Sequence, residues 1–275
     1  MLREAGLSTN LSRRQALQRL SSGALLALGL WPGALPKVKG ASDSFRFAVV
    51  NDTHYIDREC GAFLERVVGQ MRAIGDLDFC LHAGDLTEHG HQNDLGAVRE
   101  IFSGLKIPVY PVIGNHDYLT HTNRLAYETI FPGRLNYIFR HQGWQFVALD
   151  SSEGLKYQET RIQPATVNWL EDNLRRLDKE QPTVIFTHFP LGAYVRYRPL
   201  NADAVLDRFR QFNLQAVFSG HYHGFTENRW RAAVATTNRC CALKRTNHDG
   251  TKEKGFFICE ARGGTVTREF VQVRG

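Results

Sequence analysis

The chain has 275 residues, 43% hydrophobic and 23% charged, with 24 Gly and 9 Pro. That is enough for one large domain with a full core, and it excludes collagen-like and low-complexity chains. No apolar run reaches the ~18 residues that span a bilayer; the longest, Ala24–Trp31, is broken by Gly29. The net charge of +6 is uneven: residues 1–40 hold six basic side chains against Glu4, which leaves the rest at +1 and removes the electrostatic case for specific nucleic-acid binding.

Residues 1–40 read basic, then apolar, then small. Ser12-Arg13-Arg14-Gln15-Ala16-Leu17 resembles a twin-arginine signal, although Ala16 and Gln18 stand where that signal usually has Phe and Lys. Ser22–Trp31 supplies the hydrophobic stretch, and Gly40 or Ala41 offers a cleavage point. The expectation is a signal peptide over 1–40, read by a Tat-type export machinery. A mature domain over 41–275 would then act in the periplasm or be secreted, with no transmembrane anchor.

From residue 45 onward, short apolar runs alternate with amphipathic stretches. Phe45–Val50 leads into Asn51-Asp52-Thr53-His54, and Leu77–Leu81 into Gly84-Asp85. Val109–Ile113 leads into Gly114-Asn115-His116-Asp117, Thr183–Phe186 into Thr187-His188, and Ala216–Phe218 into Gly220-His221-Tyr222-His223. Periodicity predicts helices at about 60–74, 93–104, 165–178 and 201–212. A hairpin is expected at 136–149, turning at His141-Gln142-Gly143, and alternation beyond 229 predicts a β-rich end. The five cysteines include no Cys-x-x-Cys spacing, so neither a zinc knuckle nor a disulfide framework is indicated.

Ligands of α/β sheets gather outside the carboxyl ends of the strands. Here five predicted strands each run out into Asp, Asn or His, and Gly84, Gly114 and Gly220 precede a polar side chain where a sharp turn aims it inward. One such cluster is weak evidence, because surface loops hold many Asp and His. Five in order point to a shared site.

Asp52-x-His54, Gly84-Asp85, Gly114-Asn115-His116-Asp117, His188 and Gly220-His221-x-His223 resemble the motif series of calcineurin-like metallophosphoesterases, over roughly residues 45–225. The resemblance implies an α/β fold: a four-layer α/β/β/α sandwich of two mixed β-sheets flanked by helices, with the metal site at the C-terminal strand edge. It also implies two metal ions. Asp52, His54, Asp85 and His223 would hold one, and Asp85, Asn115, His188 and His221 the other. Carboxylate and imidazole suit Mn, Fe, Zn, Ni or Co alike. Two ions about 3.5–4 Å apart lower the pKa of a shared water and clamp the phosphorus for in-line attack by the bridging hydroxide. His116 would protonate the leaving oxygen.

Glu88 lies three residues after the bridging Asp85, where purple acid phosphatases carry a Tyr ligand, so that subfamily is not expected. By analogy with phosphoprotein phosphatases, Glu88 would orient His116. The remaining pattern is closest to the bacterial cyclic-nucleotide-phosphodiesterase-like branch. The substrate is a small phosphoester, and monoester against diester stays open: a dianionic monoester asks for extra cationic groups, a diester for room around a second arm. The alternative from another class is an inactive binding scaffold of the same fold. His82 is read as packing under the site, and His89, His91, His121, His141 and His248 as surface residues. Tyr55, Tyr194, Arg196, Tyr197, Arg198 and Tyr222 are left out of the site.

Overall fold

The structure, a computed structural model, describes residues 44–274. The export reading of residues 1–40 lies outside the described residues. Among the described residues, no helix is long and apolar enough to cross a membrane.

The described residues include eleven strands in two mixed sheets. In the first, β1 (Ser44–Val50), β2 (Phe79–His82) and β3 (Val109–Pro111) run parallel, and β10 (Gly255–Arg262) and β11 (Thr265–Gln272) complete the order β11-β10-β1-β2-β3. The second is β4-β5-β6-β7-β9-β8, from β4 (Tyr137–His141), β5 (Trp144–Leu149), β6 (Thr183–Thr187), β7 (Leu214–Ser219), β8 (Thr226–Trp230) and β9 (Ala233–Thr237). Its strands β5, β6, β7 and β9 are mutually parallel. The α-helices are α1 (Arg58–Ile74), α2 (Gln92–Ser103), α3 (Leu125–Ile130), α4 (Pro164–Leu174) and α5 (Ala202–Asp207).

The layers follow from side-chain alternation along each strand. In β1, Phe45, Phe47 and Val49 enter the core between the sheets, while Ala48 and Val50 join Leu64, Val67 and Met71 of α1 and Val98 and Phe102 of α2. In β6, Val184 and Phe186 meet that same inter-sheet core, and Ile185 faces Leu170 of α4 and Val205 and Leu206 of α5. Residues apolar on both faces can only be inner strands covered on both sides. The result is the expected helix–sheet–sheet–helix sandwich. Aromatic rings fill its middle: Phe47 stacks on Phe79 at 5.1 Å, and Phe146 meets Phe79 edge-on at 5.1 Å.

The helices depart from the periodicity in one consistent way. The α4 and α5 segments end at Leu174 and Asp207, short of the expected 178 and 212. Beyond those points the backbone switches to i→i−3 bonds (Leu177 N–H to Leu174, Phe209 to Leu206, Phe212 to Phe209), so the apolar face persists after the α-helix has stopped. Helix α3 was not expected; it buries Tyr127 alone, too little to leave a periodic stripe. All five cysteines are buried and free. Cys240 and Cys241 lie past β9 in an irregular segment, not in a strand.

Candidate active site

Strands β1, β2, β3, β6 and β7 deliver their polar C-terminal residues to one edge of the sandwich. The segments after β1 and β2 continue side by side: Asp52 N–H bonds to the Gly84 carbonyl, Thr53 and His54 N–H to that of Asp85, and Tyr55 N–H to that of Leu86. Asp117 ties the β2 segment to the β3 segment, its carboxylate accepting from the N–H groups of Gly114 (2.9 Å), Thr87 (2.9 Å) and Leu86 (3.2 Å). Sequence reasoning gave Asp117 no role.

The geometry is strained where the side chains converge. Asp52, His54, Asp85, His221 and His223 all have φ between 44° and 64°. Such left-handed backbone is uncommon outside glycine, though Asp and His tolerate it best, and it clusters at functional sites. Gly84 (φ 84°) makes the expected turn. At Gly114 the need is room: with φ −108°, a Cβ there would stand 2.1 Å from Oδ1 of Asp85.

All seven expected donors meet, each buried. His54 Nε2 lies 3.1 Å from His223 Nε2 and 3.6 Å from Asp85 Oδ2, and His223 Nε2 lies 3.2 Å from Asp52 Oδ1. On the other side of Asp85, His188 Nε2 is 3.2 Å from Asp85 Oδ2, from Asn115 Oδ1 and from His221 Nδ1. Asp85 therefore belongs to both groups.

The outward nitrogens explain which atoms face in. His188 Nδ1 donates to the Ala83 carbonyl (2.9 Å), His221 Nε2 to that of Tyr157 (2.8 Å) and His223 Nδ1 to that of Thr246 (3.2 Å). His54 Nδ1 lies 3.0 Å from Glu88 Oε2. Each imidazole thus turns its second nitrogen into the cluster, as metal-ligating histidines do. There the inner nitrogens hydrogen-bond to one another, His54 to His223 and His188 to His221. Burial disfavours charge on His188, but Asp85 and then Asp52 overrule it and raise the imidazole to about 9. Burial likewise opposes ionisation of Asp85, yet His188 and His116 hold it well below the usual carboxylate range. His221, by contrast, is lowered to about 3 by burial and then by His188.

His116 and Glu88 sit beside this cluster. His116 Nδ1 donates to the backbone carbonyl of Glu88 at 3.0 Å, and its ring meets His54 edge-on at 4.8 Å. The Glu88 carboxylate, expected to orient His116, lies 3.5 Å from it and nearer to His54. It also takes both arms of the Arg245 guanidinium, with Nε at 2.9 Å. Against burial, these partners hold Glu88 low, at about 2.

The cluster floors an open cleft of about 740 Å³ whose walls include Leu119, Leu155, Tyr157, Tyr197, Arg245 and His248. His89 and His91, though exposed as expected, also line it. Tyr197 belongs to the cleft, whereas Arg198 pairs with Asp203. His82 packs beneath, its Nε2 3.0 Å from Thr53 Oγ1, and His141 pairs with Asp78. Arg245 and Tyr157 escaped the sequence reading because neither follows a strand nor stands in a motif.

A sequence model of the calcineurin-like phosphoesterase family matches residues 45–225. The chain is 27% identical over 210 residues to a probable cyclic nucleotide phosphodiesterase of Rhodopseudomonas palustris, covering 68% of this chain and 74% of that one. It is 24% identical over 213 residues to a glycerophosphodiester phosphodiesterase of Enterobacter lignolyticus, covering 69% and 75%. Among solved structures, a purple acid phosphatase from yellow lupin shares the fold at a TM-score of 0.62 and 12% identity, over 84% of this chain and 52% of that one.

Proposed function

The chain belongs to the calcineurin-like phosphoesterase family and is a metal-dependent phosphoesterase, and on that premise we propose that it hydrolyses phosphodiesters at a pair of divalent cations. The donor set fits such ions: an inward nitrogen from each of four imidazoles, two buried carboxylates and one amide, with backbone carbonyls on the outer nitrogens of His188, His221 and His223 and the Glu88 carboxylate 3.0 Å from that of His54. Asp52, His54, Asp85 and His223 would hold one ion; Asp85, Asn115, His188 and His221 the other. Bound there, the ions would supply Lewis acidity toward a phosphoryl oxygen and activate water near neutral pH.

The protein's own groups do the rest. Asp85 carries the shared negative charge, and its Oδ1 is steadied by the His116 backbone N–H at 2.9 Å. His116, its Nδ1 committed to the Glu88 carbonyl, keeps Nε2 to hand a proton to the leaving oxygen.

The preference for a diester rests on the state of Arg245. It is the one Lys or Arg among the described residues lining the cleft, and Glu88 already engages it. A monoester dianion would find no free cation side chain there, whereas the open cleft has room for a second ester arm. The names of the two relatives support the same reading and put cyclic nucleotides and glycerophosphodiesters on the test panel. The test is turnover of bis-p-nitrophenyl phosphate, p-nitrophenyl phosphate, cyclic nucleotides and glycerophosphodiesters by Mn²⁺-loaded protein. The diesters should be favoured. Faster turnover of p-nitrophenyl phosphate would sink the diester reading, and less than about one equivalent of metal after metal-replete expression would leave the inactive scaffold.

A further inference from the structure

Two tyrosines stand at the end of the cluster away from His116. The Tyr157 ring is 55% exposed while its backbone carbonyl accepts the N–H of His221 at 2.8 Å. The Tyr197 ring meets that of His221 edge-on at 5.3 Å and that of Tyr157 at 6.2 Å and 65°. Both rings line the cleft. Their positions relative to the metal donors are fixed by short links: one by a hydrogen bond from its own main chain, the other by ring contact. Tyr197 is also held at φ 66°, a genuine outlier for a bulky side chain. Backbone strain of this kind persists only where the surroundings enforce it, and it concentrates at ligand clamps.

We propose that Tyr157 and Tyr197 form an aromatic corner beside His221 that receives a planar, aromatic arm of the diester, the one that stays on phosphorus. The inference rests on the phosphodiesterase reading and narrows its substrate class. Two rings at 65° suit such an arm, which stacks on one face and meets the edge of the other. The side follows from the contacts. His116, the proton donor, packs on His54, whereas on the His188–His221 side of Asp85 the Tyr197 ring packs on His221 and the Tyr157 carbonyl accepts its N–H. The leaving oxygen belongs with His116, so the corner holds the arm that stays on phosphorus.

The experiment varies that arm alone. Phenyl p-nitrophenyl phosphate and methyl p-nitrophenyl phosphate both release nitrophenolate to water and differ only in the retained group. For metal-loaded protein, kcat/KM should favour the phenyl diester. Tyr157→Leu and Tyr197→Asn (Asn accepts φ > 0) should each cut that preference about 3–10-fold at unchanged metal content. Independently of any variant, phenyl phosphate should inhibit the unaltered protein about 3–10-fold more tightly than methyl phosphate. Equal inhibition by the two phosphates, or an undiminished phenyl preference in both metal-replete variants, overturns the aromatic corner and leaves the phosphodiesterase reading standing. No turnover of either diester overturns the phosphodiesterase reading itself.

Discussion

Glu88 reaches His54 more closely than it reaches His116, with Oε2 at 3.0 Å from the first imidazole and Oε1 at 3.5 Å from the second. A carboxylate on the outer nitrogen of a metal-facing imidazole fixes its tautomer and strengthens it as a donor. Against burial, His54 and then Arg245 keep that carboxylate ionised, and Arg245 holds it from the far side. Glu88 is therefore positioned to act on the metal through His54.

Glu88→Gln should accordingly weaken metal binding about 10–100-fold. Its activity, measured at saturating metal, should recover evenly for good and poor leaving groups. Metal titration of the variant checks this. Normal affinity together with a loss confined to alkyl esters would return Glu88 to orienting His116.

His116→Ala should keep its metal and lose about 10²–10⁴-fold on esters with alkyl leaving groups, and distinctly less on nitrophenyl esters. A strongly basic alkoxide needs a proton as it departs; nitrophenolate does not. Kinetics on the two ester types with metal analysis of the same sample decide the matter. An equal loss on both would give His116 another task.

Asp85→Asn should cost activity and at least one metal ion per chain. Asp85 Oδ2 lies within 3.2 Å of His188 and 3.6 Å of His54, so its charge serves both halves of the cluster. Elemental analysis of the purified variant is the measurement. Two ions retained with undiminished turnover would refute the shared carboxylate.

Metal binding should depend on pH with a definite sign. In the metal-free protein Asp85 and Asp52 overcome burial and raise His188 from 6.5 to about 9. Below pH 9 a proton therefore occupies a nitrogen the metal needs, and binding must expel it. Affinity should rise with pH throughout the range below about 9. Calorimetric titration in two buffers of different ionisation enthalpy would count the released proton; a buffer-independent heat at pH 7 contradicts the prediction.

The sequence by itself determined the strands and the polar clusters at their ends, because both are local properties; the layering and the seven-donor set entered it through the family resemblance. Alternation of Phe45, Phe47 and Val49 against Ala48 and Val50 marks a strand covered on both faces, and Asp52, Asp85, Asn115, His188 and His221 each follow their strand by a few residues. Only the tertiary structure decided what supports those donors. Three of the four imidazoles are oriented by backbone carbonyls, of Ala83, Tyr157 and Thr246. Every residue carries a carbonyl, so no residue type can announce that role. Arg245 likewise reaches Glu88 across 157 residues of chain, from a segment with neither strand nor motif to mark it. Periodicity reports which face of an element is buried; it carries no information about which distant main-chain or side-chain group will fold against that element's end.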